Sequence, residues 1–215
     1  PFSKQLVKLA EGTIKTEPEK EIAFLDERLL KTPSIALQEC NHITTDMAYV
    51  SKQSMMDAMD LLFSYNEKKA AGVKDLEGEV DIYEDRLGSY LVKLSGYDLS
   101  DTDSKQISKL LHTIGDFERI SDHAVNVMQA AKEIEEKKAP LSPEGLAEIK
   151  VATAAIREIM EIAIKAFDEN NLELAYRVEP LEQVVDGIIE GIKLNHINRL
   201  QAGKCTIQQG FVLSD

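Results

Sequence analysis

The sequence contains no tryptophan, few aromatic residues and no long apolar run. Aromatic residues make up 6% of its 215 residues, and there are only 11 glycines and 6 prolines. No stretch approaches the ~20 apolar residues that a membrane span requires, so the chain itself is expected to be soluble. The polar–apolar alternation typical of β-strands is also missing. These absences favour an all-α globular protein.

Basic residues are scarce relative to acidic ones. The chain has 25 Lys and Arg against 38 Asp and Glu, a formal net charge of −13. This balance argues against a nucleic-acid partner, which is bound by neutralising phosphates, and it disfavours anionic lipid. Cys40 and Cys205 form no motif and are expected to be free, buried thiols in a reducing compartment. Because the chain starts at Pro1 without a signal-peptide pattern or initiator Met, we expect a piece of a longer protein.

Apolar residues recur at steps of three and four over long stretches, which is the helical period. One stripe runs from Val73 to Leu94, and a second runs from Ile107 to Met128 with Glu118 inside it. Thr-Pro and Ser-Pro pairs mark two helix starts, and short polar or glycine-containing stretches mark breaks. The pattern predicts helices over 33–69, 73–94, 104–137, 143–169, 173–200 and from 206 onward.

The chain also carries an internal repeat. A shift of 105 residues aligns 55–81 with 160–186 and gives nine identities in 27 positions without a gap. Chance would give roughly two. We therefore predict two tandem three-helix bundles related by duplication, the last helix being truncated. The predicted division is a juxtamembrane or linker segment over 1–31, a first bundle over 32–139 and an incomplete second bundle over 140–215.

Glutamate followed four residues later by aspartate occurs three times. Residues so spaced share one face of a helix and repel each other there, unless a cation lies between them. Carboxylates are hard ligands for Mg, Mn and Ca and also serve iron and zinc, and helical bundles build multinuclear sites from them. The candidate metal ligands are Glu77 and Asp81, Glu118 and Asp122, and Glu182 and Asp186.

A solvated acidic face is the alternative for these pairs, since acidic pairs are common on this chain. Two of the three pairs occupy equivalent repeat positions, and Glu118 lies in an apolar stripe, where a carboxylate needs a partner. Spacing alone leaves both interpretations open. No nucleophile with a base, glycine-rich phosphate loop or cysteine cluster is present, and the Glu-x-x-His ligands of di-metal bundle enzymes are not duplicated. We do not expect an enzyme.

The segment 116–124, Asp-Phe-Glu-Arg-Ile-Ser-Asp-His-Ala, resembles the signature of PhoU-like proteins. The segments 76–81 and 181–186 resemble the companion motif of that family. The resemblance implies paired three-helix bundles in which acidic pairs face one another and hold multinuclear metal sites. It therefore implies that the candidate residues above bind divalent or trivalent metal ions such as iron, zinc, manganese or magnesium. The second site would be incomplete in this chain.

Two further segments, 24–37 and 196–205, are similar to parts of bacterial sodium/phosphate cotransporter-related proteins. This similarity implies a metal-binding regulatory domain at the cytoplasmic face of the inner membrane, acting on the transmembrane transporter portion of the same polypeptide. It leaves homo-oligomerisation open and includes no nucleic-acid partner. The alternative is a free-standing PhoU-type regulator of a phosphate ABC transporter and its sensor kinase.

Overall fold

The computed structural model of the protein describes residues 25–138 and 141–205. These residues are 85% helical and contain no strand, which confirms the all-α prediction. A 3-10 helix over Glu27–Lys31 and a single helical turn over Leu172–Ala175 accompany five long helices. The long helices are α1 (Pro33–Leu61), α2 (Glu67–Leu94), α3 (Asp101–Glu136), α4 (Pro143–Asp168) and α5 (Val178–Gln201).

Helices α1, α2 and α3 pack against one another as a three-helix bundle. Each helix contributes an apolar stripe at steps of three and four, so burial of that stripe holds the helices together. The side chains at the centre of this bundle are fully buried: Leu37, Ile43, Met47, Leu87, Leu91, Leu94 and Leu110. The charged faces of the same helices remain towards solvent.

The predicted boundary between the first two helices was wrong. Helix α1 ends at Leu61 rather than at 69, and α2 begins at Glu67 rather than at 73. The start of α2 is fixed by Asn66, whose side-chain oxygen accepts a hydrogen bond from the Lys69 N–H at 3.0 Å. A cap of this kind satisfies a backbone donor that the first helical turn leaves free. Gly72 falls in the break predicted between 69 and 73, but it lies inside α2 and does not interrupt the helix.

Two other helix starts also differ from the prediction. Helix α3 begins at Asp101, three residues early, because Ser100 and Asp103 form a reciprocal capping box. The helix predicted over 173–200 is divided into the short turn Leu172–Ala175 and α5. Pro180, in the first turn of α5, has no N–H to donate to a carbonyl one turn earlier, which explains the division.

The 105-residue repeat is also visible in the structure, because equivalent asparagines cap equivalent helical segments. Asn171 caps the turn at Leu172–Ala175 by accepting from the Leu174 N–H at 3.2 Å, and it lies 105 residues after Asn66. Helix α5 packs on α4, as α2 packs on α1. The helix predicted from 206 onward lies outside the described residues, as does most of the 1–31 segment.

Helix α4 makes polar contacts with α1, and its Ile164 and Phe167 pack on the apolar core of the first bundle. Arg157 pairs with Asp60 at 2.6 Å and also donates to the Met56 carbonyl at 3.3 Å. Lys52 pairs with Glu161 at 2.6 Å, in a parallel contact further along the two helices. Within the described part of the chain, no helix combines the length and the apolar character needed to cross a membrane.

Candidate metal-binding site

Helices α2 and α3 each place one acidic pair beside the core of the first bundle. Val80 and Ser121, the neighbours of Asp81 and Asp122, are fully buried. Glu77 and Glu118 are half-buried, while Asp81 and Asp122 are exposed. Each pair therefore extends from the edge of the core towards solvent, as expected for residues four apart that flank an apolar stripe.

The electrostatics of these carboxyls show that the two pairs are neighbours. Burial raises the pKa of Glu77, and the charges of Asp81 and Asp122 raise it further, against a smaller opposing effect of Lys74. Partial desolvation raises the pKa of Asp81 even though much of its side chain is exposed, and the charge of Asp122 adds to this effect. Since Asp122 lies on α3 and the other two on α2, the repulsion acts across the two helices.

Glu118 is the fourth member of the cluster. Burial raises its pKa first, followed by the charge of Asp122, and Asp81 on the opposite helix contributes as well. A hydrogen bond to the Asp122 side chain acts in the same direction. The Glu118 carboxyl thus keeps its proton to a higher pH than a separate carboxyl would. We call Glu77, Asp81, Glu118 and Asp122 the α2–α3 carboxylate cluster.

The donor chemistry of this cluster suits a cation. Four carboxylates supply hard oxygen ligands, and a bound cation would relieve the repulsion that helps to raise the pKa values of Glu77, Asp81 and Glu118. The buried Ser121 hydroxyl, between Glu118 and Asp122 in sequence, has no hydrogen-bond partner within the described ranges. As the side chains are placed, no three His, Cys, Asp or Glu residues of the described chain converge closely enough to enclose an ion. The cluster therefore has the ligand types that a cation needs, but these side chains would have to move closer together to coordinate one ion.

The third predicted pair, Glu182 and Asp186, is not part of this cluster. Both side chains lie exposed on α5. On the described residues, no acidic pair of another helix faces them, and neither makes a hydrogen bond or ion pair. The structure thus brings together four of the six predicted ligands.

The prediction that both cysteines are buried holds for Cys40 only, since Cys205 is half-buried. Sequence reasoning also missed a contact of Cys205 with His196. The His196 Nδ1 atom lies 3.7 Å from the Cys205 sulfur. The glycine at 203, just before Cys205, signals the turn that returns the chain to the helix.

His123 lies beside Asp122 in sequence but faces a different part of the molecule. It lines an apolar cavity of about 330 Å³ between the first bundle and α4 and α5, together with Met55, Ile149 and Ile192. Adjacent helical residues point about 100° apart, which accounts for the separation of His123 from the cluster.

The sequence of these helices is similar to a known protein domain and to two known proteins. Residues 44–131 match the family model of the PhoU domain, so a PhoU domain is present in this part of the chain. The chain is 23% identical over 167 residues to the phosphate-specific transport system accessory protein PhoU homolog 1 of Thermotoga maritima, covering 77% of this chain and 71% of the relative. It is 21% identical over 175 residues to the phosphate-specific transport system accessory protein PhoU homolog of Clostridium acetobutylicum, covering 80% and 78% of the two chains. No solved structure matches the chain at a significant level.

Proposed function

We propose that this chain is a PhoU-type regulator of phosphate transport that acts by binding a transport system rather than by catalysis. The observation that carries the proposal is the PhoU-domain match over residues 44–131, which includes all of α2 and most of α1 and α3. The names of the two relatives describe accessory proteins of phosphate-specific transport systems. A separate regulatory chain of this kind is the form that these relatives support best.

Metal binding is the second part of the proposal. The α2–α3 carboxylate cluster lies inside the matched segment and combines four acidic ligands on two adjacent helices. Divalent or trivalent cations such as iron, zinc, manganese or magnesium would be held by Glu77, Asp81, Glu118 and Asp122, and would supply only charge neutralisation and cross-linking of α2 to α3. Glu182 and Asp186 would form only half of a second site, because no acidic pair of another described helix faces them, so we expect this pair to hold no metal in the present chain.

Phosphate uptake tests the regulatory role. In the cells that normally make this chain, deletion of its coding segment should change the rate at which radiolabelled phosphate enters, and re-expression of the chain should restore the original rate. A strain re-expressing Glu118→Gln with Asp122→Asn shows whether the cluster takes part. If uptake is the same with and without the chain at both low and high external phosphate, the proposed function is wrong.

A second candidate is a domain fused to a sodium/phosphate cotransporter. The segments 24–37 and 196–205 favour it, because they resemble cotransporter-related proteins in sequence. Immunoblotting of cell fractions with an antibody against α3 separates the two candidates. A full-length product that stays in membranes after alkaline washing supports the fused form, while a product of similar size to the present chain that washes off supports the separate regulator.

A further inference from the structure

A histidine and a cysteine meet where α5 ends. His196 is only 8% exposed, and its Nε2 atom is buried without a hydrogen-bond partner among the described residues. The chain leaves α5 through a turn at Gly203, whose φ of +68° suits glycine, and so brings Cys205 back against the helix. The Cys205 sulfur lies 3.7 Å from His196 Nδ1 and 3.7 Å from the His196 carbonyl oxygen.

The charged groups around this pair come from α4 and α5. Arg199 forms two hydrogen bonds of 2.8 Å to the carboxylate of Glu148 on α4, and Asn195 donates to the same carboxylate at 2.9 Å. The hydrogen bond from Arg199 lowers the pKa of Glu148, and the nearby His196 adds a smaller effect in the same direction. The pKa of Arg199 is raised mainly by its hydrogen bond to Glu148, with smaller contributions from Cys205 and Glu144. Because Arg199 and Glu148 largely satisfy each other, the Cys205 thiol is the side-chain partner at His196 Nδ1.

We propose that Cys205 is a modification site for low-molecular-weight disulfides, with His196 as the base that accepts the thiol proton. In this step the proton of the Cys205 thiol moves to His196 Nδ1, and the Cys205 sulfur attacks one sulfur of the small disulfide. The disulfide bond breaks, a new bond joins that sulfur to Cys205, and the other sulfur leaves as a thiolate, which His196 can then protonate. No further oxidant or reductant is needed, since one disulfide replaces another.

Cys40 provides an internal reference for this reactivity. Its side chain is fully buried in the first bundle, and burial raises the pKa of its thiol to about 12. A buried thiol that stays protonated is a poor nucleophile, whereas a half-buried thiol beside an imidazole can be deprotonated and reached. The two cysteines are therefore expected to behave oppositely towards the same reagent.

Modification would act on the turn that follows α5. The unmodified Cys205 side chain packs beside His196, so a bulky adduct on its sulfur cannot occupy the same place without moving the chain. The turn at Gly203 would then open, and Cys205 would move away from His196 at the end of α5. The site is thus suited to couple the redox state of small thiols to the conformation of the turn at the end of α5.

The experiment treats the complete chain with glutathione disulfide near pH 7 and follows the adduct at each cysteine by peptide mass spectrometry. A synthetic peptide spanning 196–205 has the same His and Cys without the folded contact and gives the reference rate. We expect Cys205 in the protein to react at least about tenfold faster than in the peptide, as a modest general-base contribution, and Cys40 to remain free. Equal rates in protein and peptide, or equal labelling of Cys40, would overturn the proposal.

The variant His196→Gln should reduce the protein rate to that of the peptide. His42→Gln, which removes an exposed imidazole from α1, is the matched control and should leave the rate unchanged. If His196→Gln does not fold, the pH profile of the unaltered chain decides instead. The advantage over the peptide should vanish above about pH 9.5, where an ordinary thiol ionises without a base; an advantage independent of pH contradicts a role for His196.

Discussion

Glu118 shows at the level of one residue why the acidic cluster costs stability when no cation is bound. Its carboxyl is half-buried next to Asp122 on its own helix and within range of Asp81 on α2, and its pKa is raised by burial and by those charges. Ionising it at neutral pH therefore adds repulsion to the folded state that the unfolded chain does not have. With a cation between the helices, the ionised Glu118 carboxylate would stabilise the folded state instead of destabilising it.

We predict that Glu118→Gln stabilises the metal-free protein at neutral pH. Removing one of the repelling charges should raise the free energy of unfolding by about 0.5 kcal/mol, a magnitude typical of like-charge pairs on helices. Urea unfolding at pH 7 with a chelator present measures the change. Glu182→Gln, on the exposed pair of α5, is the matched control and should have no measurable effect. A loss of stability in Glu118→Gln under these conditions would contradict the account.

The same raised pKa values set the pH dependence of stability. Between the ordinary carboxyl pKa of about 4 and the higher values of Glu77, Asp81 and Glu118, the folded state holds more protons than the unfolded chain. The contribution of the cluster to stability is therefore favourable at low pH and is lost as pH rises through the raised values. Urea unfolding between about pH 4 and pH 7, in chelator, should show a smaller loss in Glu118→Gln than in the unaltered chain.

At the level of the helix, Asn66 determines where α2 begins. Its side chain accepts the Lys69 N–H at 3.0 Å, so Asn66→Ala leaves this donor without a protein partner. We predict a loss of about 1 kcal/mol in the free energy of unfolding, measured by urea denaturation. Ser64→Ala, in the same turn, serves as the control, because the Ser64 side chain makes no hydrogen bond to any residue that the structure describes. An unchanged midpoint for Asn66→Ala would show that the cap does not contribute to stability.

The sequence predicted the number and order of the described long helices because their apolar residues keep a strict helical period. The sequence-based prediction was wrong at helix boundaries, where capping residues and proline rather than the apolar period decide where a helix begins and ends. Gly72 was read as a break, although a glycine in a well-packed helix needs no special conformation, and the capping signal at Asn66 was the better guide. Similarly, a continuous apolar pattern after residue 172 concealed the interruption before Pro180.

The candidate site was predictable only in part. The four-residue spacing placed each Glu–Asp pair on one face of a helix, and the family resemblance implied that the pairs of α2 and α3 face each other. The partnerless Ser121 hydroxyl and the contact of Cys205 with His196 depend on how side chains meet after folding, so no spacing rule could reveal them. Metal binding itself stays a prediction.

At the level of the whole molecule, polar contacts on α1 add to the apolar packing of Ile164 and Phe167 that holds α4 on the first bundle. Arg157 joins Asp60 and the Met56 carbonyl, so Arg157→Ala removes a charge pair and a backbone hydrogen bond together. We predict faster amide hydrogen exchange throughout α4 and unchanged exchange in α2 and α3, because α1, α2 and α3 supply nearly all of the core of the first bundle. Lys165→Ala, which breaks only a pair with Glu169 near the end of α4, is the control. Equal exchange in α4 of Arg157→Ala and the unaltered protein would contradict this role.

The central claim is that α2 and α3 together form a cation site that is part of a PhoU-type regulator. Two substitutions on α3 disable the cluster, and two matched substitutions on α5 remove the same charges from an exposed pair with no facing pair on the described helices. The compared proteins are therefore the unaltered chain, Glu118→Gln with Asp122→Asn, and Glu182→Gln with Asp186→Asn. Circular dichroism confirms that all three are folded before metal is measured.

The most direct measurement is the metal content of these three proteins by elemental mass spectrometry, after loading with manganese, iron, zinc or magnesium and removal of free ions. The account predicts that the unaltered chain and the α5 variant retain the same amount of metal, while the α3 variant loses it. Negligible metal in the unaltered chain, or equal metal in all three proteins, would contradict the assignment of the α2–α3 carboxylate cluster as a cation site.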